Sequence, residues 1–398
     1  MKKKEKYTFR KLIGDLHLWL GVASGIVLFV ICFTGTVYVF KTEIEEWIEP
    51  NKYNIEAKQQ IIPIEKLIAN TEKETKGKVS RVVYTEENTR PYEINVKQNA
   101  EDRRGTNFMV NQYTGKVIGD VKGPASEFFF TMFKLHRWLL LDIEKGRPIT
   151  GAATLIFLFL CLSGFVIWLP KKIRSWRSFK PGFTIMWRAR WKRINHDLHN
   201  VLGFYSLIFL LIMTLTGLTW SYEWYNNGLY KLLTGKEMEQ KGGPGGGRGN
   251  KGEKGKDKKE EKAIETQESL IIPAISYEKA IAIANAKLVY QGKTIISKIA
   301  QDGSPYEITK FNKDRFNVEA ADKLFINSET GNIEKIELFN DMSLGERIMK
   351  QIRGLHVGTT YGLYSKILYF IVCLIATSLP ITGVIIWINK MKFGSSDD

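Results

Sequence analysis

The chain has 398 residues, 44% of them hydrophobic, and its 58 Lys and Arg outweigh 42 Asp and Glu to give a net charge of +16. Apolar runs at 18–40, 149–169, 201–222 and 367–388 are each about as long as the ~20 residues that cross a bilayer, which excludes a purely soluble protein. The basic excess is gathered in short segments beside those runs, so it reads as a topology signal and excludes nucleic acid as a partner.

In chain order, residues 1–40 are a Lys-rich tail and span one. The span's far end, Thr36-Val37-Tyr38-Val39-Phe40, is too bulky for a cleavage site, so the span reads as an uncleaved signal anchor. Its near end carries Asp15-Leu16-His17, with Gly21 and Gly25 following. Residues 41–130 form a first exported module, with an amphipathic helix over 63–76, β-type runs at 79–84 and 92–96, and a hairpin about Thr114-Gly115. Residues 131–169 hold an interfacial helix bearing His136, then span two. Gly146 and Pro148 are expected to break the path between the two.

Residues 170–195 form a loop with Lys171, Lys172, Arg174, Arg177, Lys180, Arg188, Arg190, Lys192 and Arg193. Span three, in 196–222, opens on His196 and Asp197-Leu198-His199, with Gly203 beyond. A Gly/Lys-rich loop occupies 223–262; its run Gly242-Gly243-Pro244-Gly245-Gly246-Gly247 lacks the leading strand and following helix that a phosphate cradle needs. A second exported module covers 263–343, with a helix over 273–287 and a hairpin about Thr330-Gly331. Residues 344–389 hold another interfacial helix, His356 and span four, and 390–398 is a tail with Lys390 and Lys392. Basic residues in short loops stay inside, so both termini are expected in the cytoplasm of a bacterium and the modules outside its cytoplasmic membrane.

The second half repeats the first. Asp15-Leu16-His17 aligns with Asp197-Leu198-His199, and Thr34-Gly35 then falls in register with Thr216-Gly217; Ser163-Gly164 corresponds to Thr382-Gly383. The expected fold is an α-helical membrane protein, a four-span bundle of two parallel repeats, each with a small exported α+β module.

All five histidines lie at or near span ends. An imidazole in an apolar setting needs a partner, and neutral imidazole suits iron. His17 and His199, related by the repeat, can supply two axial ligands to one haem, and His136 and His356 form a second pair. Gly21, Gly25 and Gly203 lie on the faces of the first pair, while Gly35 and Gly217 return to that face five turns on. They make room for a cofactor or simply let helices pack closely. Arg137 and Arg353 can pair with haem propionates or anchor the interface. His196, on the face of His199, can replace it, bind a propionate or gate protons. Trp19, Trp138, Trp220 and Trp387 read as an interfacial belt. Cys32, Cys161 and Cys373 lie inside spans with no Cys-x-x-Cys spacing, and read as apolar filling. The span middles contain no acid, Lys or His, which disfavours ion transport.

These motifs together resemble the PepSY-associated transmembrane family, which includes iron-regulated membrane proteins and ferric-siderophore reductases. The resemblance covers nearly the whole chain and rests on Leu-His at 17, 136, 199 and 356, the Ser/Thr-Gly pairs and the Thr-Gly turns. It implies PepSY modules outside and, as in the reductase members, two b-type haems that pass electrons outward to a ferric chelate such as a siderophore. Mapped here, His17 and His199 become inner ligands and His136 and His356 outer ones. The cytoplasmic segments are too short for a flavin or nicotinamide domain, so the electron donor is a quinol or a separate reductase. The competing expectations are a non-enzymatic PepSY protein that senses or modulates a peptidase or envelope partner, and an accessory to iron-chelate transport.

Overall fold

The computed structural model describes residues 7–99, 102, 104–172, 175–238, 275–298 and 304–394; the Gly-rich run at 242–247 lies outside them. The first half comprises α1 (Phe9–Tyr38), α2 (Lys41–Ile48), α3 (Pro50–Tyr53), α4 (Ile64–Thr75), β1 (Lys78–Tyr84), β2 (Tyr92–Lys97), β3 (Thr106–Val110), β4 (Val117–Asp120), α5 (Ser126–Trp138) and α6 (Ile143–Trp168). After the short α7 (Lys180–Phe183), the second half comprises α8 (Trp191–Ser221), α9 (Glu223–Thr234), α10 (Tyr277–Lys287), β5 (Thr294–Lys298), β6 (Tyr306–Phe311), β7 (Ala321–Ile326), β8 (Ile333–Glu337), α11 (Leu344–Lys350), α12 (Ile352–Val357) and α13 (Gly362–Gly394).

Four helices, α1, α6, α8 and α13, are long and apolar enough to span a membrane. Each is apolar nearly all round, as a lipid-facing helix must be, and Ile26 and Ile208 stand exposed on the outside. Helix α1 packs against α6 and α13, and α8 packs against the same two. Helices α1 and α8 therefore face each other diagonally across the bundle axis. The loop that carries α7 marks the basic end of the bundle, and the strands lie at the opposite, sheet end.

The break after His136 falls elsewhere than Gly146 and Pro148. Helix α5 stops at Leu139 and Leu140, both left-handed at φ 55° and 61°, while α6 begins at Ile143 and runs through both residues. Pro148 is the sixth residue of α6, so it forfeits one hydrogen bond near a helix end where several are missing anyway. Gly146 is there for closeness: a Cβ would lie 2.1 Å from the Trp138 carbonyl oxygen. The Thr150 hydroxyl then donates to the Arg137 carbonyl at 2.9 Å, which pins the end of α5 to α6.

The strands form one eight-stranded antiparallel sheet, β4-β3-β2-β1-β5-β6-β7-β8. The two halves join through β1 and β5, with Val82 opposite Ile296. In β6 and β7 burial alternates residue by residue, the signature of a sheet covered on one face. Helices α4 and α10 supply the cover, over a core that includes Leu67, Ile94, Val96, Ala280, Ile308 and Leu324. The helices cap each other: Glu278 Oε1 accepts from the Ile64 amide at 3.1 Å, and Glu65 Oε1 accepts from the Glu278 amide at 3.2 Å. A carboxylate on a helix N-terminus satisfies orphan N–H groups and opposes the dipole. The sheet is tied to the bundle through the β6–β7 loop, where the Val318 amide donates to the Thr360 carbonyl at 3.0 Å and Phe316 stacks on Tyr361.

Candidate functional site

Four histidines meet in two pairs. His17 on α1 faces His199 on α8 across the bundle axis, with ring centres 6.3 Å apart and planes at 90°. This pair lies toward the basic end. At the sheet end, His136 on α5 faces His356 on α12, with ring centres 6.2 Å apart and planes at 66°. Both outer histidines sit on short helices packed against spans, α5 on α1 and α6, α12 on α8.

Each ring is held by a hydroxyl residue and the glycine after it, on a neighbouring span. His17 Nδ1 lies 2.8 Å from Ser163 Oγ, and a Cβ on Gly164 would meet its Cε1 at 3.3 Å. His199 Nδ1 lies 2.9 Å from Thr382 Oγ1, with Gly383 at 3.4 Å from Cε1. His136 Nδ1 donates to the Ile31 carbonyl at 2.9 Å, with Thr34 Oγ1 at 3.4 Å and Gly35 at 3.3 Å from Cε1. His356 Nδ1 donates to the Met213 carbonyl at 3.1 Å, with Thr216 Oγ1 at 3.0 Å and Gly217 at 3.3 Å from Cε1. Any larger residue at these glycines would push into an imidazole.

These contacts assign the tautomer. A carbonyl oxygen only accepts, so Nδ1 of His136 and His356 carries the proton. The Ser163 hydroxyl donates to the Phe159 carbonyl at 2.7 Å and that of Thr382 to the Leu379 carbonyl at 3.0 Å. Their oxygens are thereby left to accept from His17 and His199. All four Nε2 atoms then present a lone pair, and none has a hydrogen-bond partner among the described residues. A protein carbonyl or hydroxyl on the distal nitrogen is how metal-ligating imidazoles are oriented and made more basic.

The spacing fits one shared ion. An imidazole nitrogen binds a first-row metal at about 2.0 Å and lies about 1.1 Å from its ring centre, so two trans ligands have ring centres about 6.2 Å apart. Among the described residues there is no cluster of three or more His, Cys, Asp or Glu able to hold a metal. A bare ion would have two protein ligands at each pair, whereas an iron in a planar macrocycle brings four donors of its own and needs two axial ones. The donor set fits haem.

The other candidate residues separate by role. Gly35 and Gly217 seat the outer histidines rather than line a cofactor face. Gly21 and Gly203 lie near Leu160 and Leu379, at ordinary contact distance of 3.9 and 3.8 Å, and act in packing. Gly25 is buried, yet no atom lies within 4 Å of where its Cβ would be, so it borders open space. Arg137 lies 5.6 Å over the rings of Phe133 and Trp138; burial, with Arg147 and Arg104 nearby, lowers its pKa. That cluster makes the sheet end of the outer pair electropositive. Arg353 is exposed. His196 is 57% exposed and lies 3.7 Å from Asp197. Trp220 stands edge-on to His356 at 5.1 Å. Trp19 is exposed as a belt residue would be, whereas the indole nitrogens of Trp138 and Trp387 are buried. Between the two pairs, Cys32 and Cys161 pack with Leu210, Val372 and Ala376 in an apolar cluster, and Cys373 Sγ lies 3.9 Å from Met213 Sδ.

The roles of Ser163, Gly164, Thr382 and Gly383 as ring seats are not apparent from the sequence, where these residues stand out only as matched pairs near span ends. The signal is the match between the halves: Ser24-Gly25 and Thr150-Gly151 have no counterpart in the second half, whereas Thr34-Gly35 matches Thr216-Gly217 and Ser163-Gly164 matches Thr382-Gly383, four pairs for four histidines.

No curated protein matches the chain. A family model, the PepSY-associated TM region, matches residues 15–390. That stretch takes in nearly all of the four spans, the whole sheet and all five histidines, and the chain belongs to the PepSY-associated TM family.

Proposed function

We propose that this protein is a dihaem electron carrier of the bacterial cytoplasmic membrane that reduces ferric iron in siderophores or other chelates at its outer face. Two b-type haems would be held, one by His17 and His199, the other by His136 and His356. The supporting observation is the two imidazole couples, with ring centres 6.3 and 6.2 Å apart and every Nδ1 engaged by the protein. Bound haem supplies a one-electron ferric/ferrous couple. His17, His199, His136 and His356 would hold the group, and the Nδ1 contacts of the four rings would fix their tautomer.

The two sites divide the crossing. His17 and Gly35 are 18 residues apart on α1, or about 27 Å along a helix, close to the ~30 Å hydrocarbon core. The basic segments beside the spans favour termini in the cytoplasm and the sheet outside. With haem held by both pairs, a quinol or a separate reductase would supply electrons at the inner pair and a ferric chelate would take them at the outer one. The electropositive sheet end around Arg137 suits an anionic chelate. The matching seats of the two halves support an internal duplication, with the sheet as two fused PepSY-like modules.

The test is the absorbance of detergent-solubilised protein before and after dithionite. A reducible low-spin b-type spectrum is expected, and His17→Ala or His199→Ala should remove one of the two haems. A folded but colourless wild type refutes the proposal.

A further inference from the structure

Among the described residues, the two buried indole N–H groups without an acceptor belong to Trp138, two residues past His136, and Trp387. An indole nitrogen can only donate, and a dry unpaired donor is something a Phe at the same place would avoid. Trp387 has a counterpart that shows what it lacks. Trp168 and Trp387 each lie four residues past the glycine that seats an inner histidine, Gly164 and Gly383, hence one turn further toward the basic end on the same helix face. Trp168 Nε1 donates to the Gly182 carbonyl at 2.9 Å, and its ring stacks on Phe204 at 3.8 Å. Trp387 packs against Trp19, two residues past His17, with ring centres 6.4 Å apart, yet its N–H meets no acceptor among the described residues.

We infer that the Trp387 indole N–H donates a hydrogen bond to a carboxylate of the tetrapyrrole held between His17 and His199; this rests on the dihaem reading above. The carboxylates of a haem held there cannot sit in the apolar middle of the bundle. They turn toward the basic end, the direction in which Trp387 lies from its glycine. Of the two matched tryptophans, Trp387 on α13 is the one with an N–H left for a carboxylate, because Trp168 has spent its own on the loop.

The test follows haem release from the full-length protein to excess apomyoglobin, taking the inner site as the phase absent in His17→Ala. Trp387→Phe, which keeps an aromatic ring against Trp19, should release inner haem about tenfold faster, as expected for losing a hydrogen bond to a charged acceptor. Trp168→Phe should match the wild type. Haem dimethyl ester, loaded into the wild type, removes the anion without touching the protein. It should leave the inner site about tenfold faster than haem, and Trp387→Phe should then add nothing. Equal release of haem by wild type and Trp387→Phe overturns the inference, as does an ester retained as well as haem. A wild type that binds no haem overturns the dihaem reading itself, whereas two haems held indifferently to Trp387 overturn only its role.

Discussion

Replacing Gly164 tests whether the seat behind His17 sets the inner site. A Cβ there would stand 3.3 Å from His17 Cε1, against about 3.5–4.0 Å for comfortable carbon contact, so alanine displaces the ring by a few tenths of an ångström. Valine adds γ-carbons that reach about 1.5 Å further, and it is stiff at χ1 in a helix. The ring has no free retreat: Ser163 Oγ holds Nδ1 at 2.8 Å on one side and His199 stands across the axis. Ligand distances must hold within about 0.2 Å of ideal for a metal to bind well. Gly164→Ala should keep both haems with the inner one about tenfold weaker, the low end of what loss of a supporting contact costs. Gly164→Val should empty the inner site and leave the outer one filled. Gly14→Ala, on α1 with no atom within 4 Å of its Cβ, serves as the control. Dithionite difference spectra with haem extraction count the haems, and a melting curve reports folding. Two haems of unchanged spin state in folded Gly164→Val would refute the reasoning.

The sheet makes its own predictions. A side-chain hydrogen bond with Glu65, then burial, raises the Glu278 carboxyl above its ordinary 4.5; its stabilisation is full below pH 4.5 and is lost as pH climbs through the raised value. Glu278→Gln keeps the bond to the Ile64 amide without the charge and should slow hydrogen exchange at the β1–β5 join at pH 7; faster exchange contradicts this. Glu346 moves the other way, held at about 2 by Lys236 and by its capping of Ser343. Its contribution is present above pH 4.5 and lost as pH falls toward 2, so acid should speed exchange in α9 and α11 within that window, and flat exchange rates would count against it. Asp322 is buried and accepts from Arg315 at 2.9 Å, Tyr290 at 2.6 Å and the Phe339 amide at 2.7 Å. Asp322→Ala strands those donors and should cost about 3–5 kcal/mol in denaturant unfolding of the sheet, with Asp322→Asn costing less.

The spans and histidine pairs are legible because their causes are local: length and apolarity make a span, and a polar ring beside an apolar run demands a partner. The hairpins at Thr114-Gly115 and Thr330-Gly331 are legible for the same reason, since both glycines take left-handed φ, 70° and 77°, as such turns require. What is not legible depends on contacts between distant segments. Gly146 reads as a helix breaker until the Trp138 carbonyl is placed against it. The joining of β1 to β5 leaves no local mark, because either strand could equally form the edge of a separate four-stranded sheet. Thr34 and Thr216 are matched in sequence, yet their use at the sheet end emerges only when α5 and α12 bring His136 and His356 onto them.

The seats also show why the two sites form one device. None of the four paired imidazoles is held by its own helix: α6 seats His17 of α1, α13 seats His199 of α8, α1 seats His136 and α8 seats His356. Helices α1 and α8 therefore take part in both pairs, each with a histidine near one end and a seat near the other. The separation from His17 to Gly35, and from His199 to Gly217, is 18 residues, which is five turns at 3.6 per turn. Only a whole number of turns aims ligand and seat at the same side of the helix, and a single inserted residue would turn one from the other by about 100°. The shared spacing in α1 and α8 thus lets one rigid rod take part in both histidine pairs, and the diagonal placement of those rods sets His17 and His199 across the bundle axis.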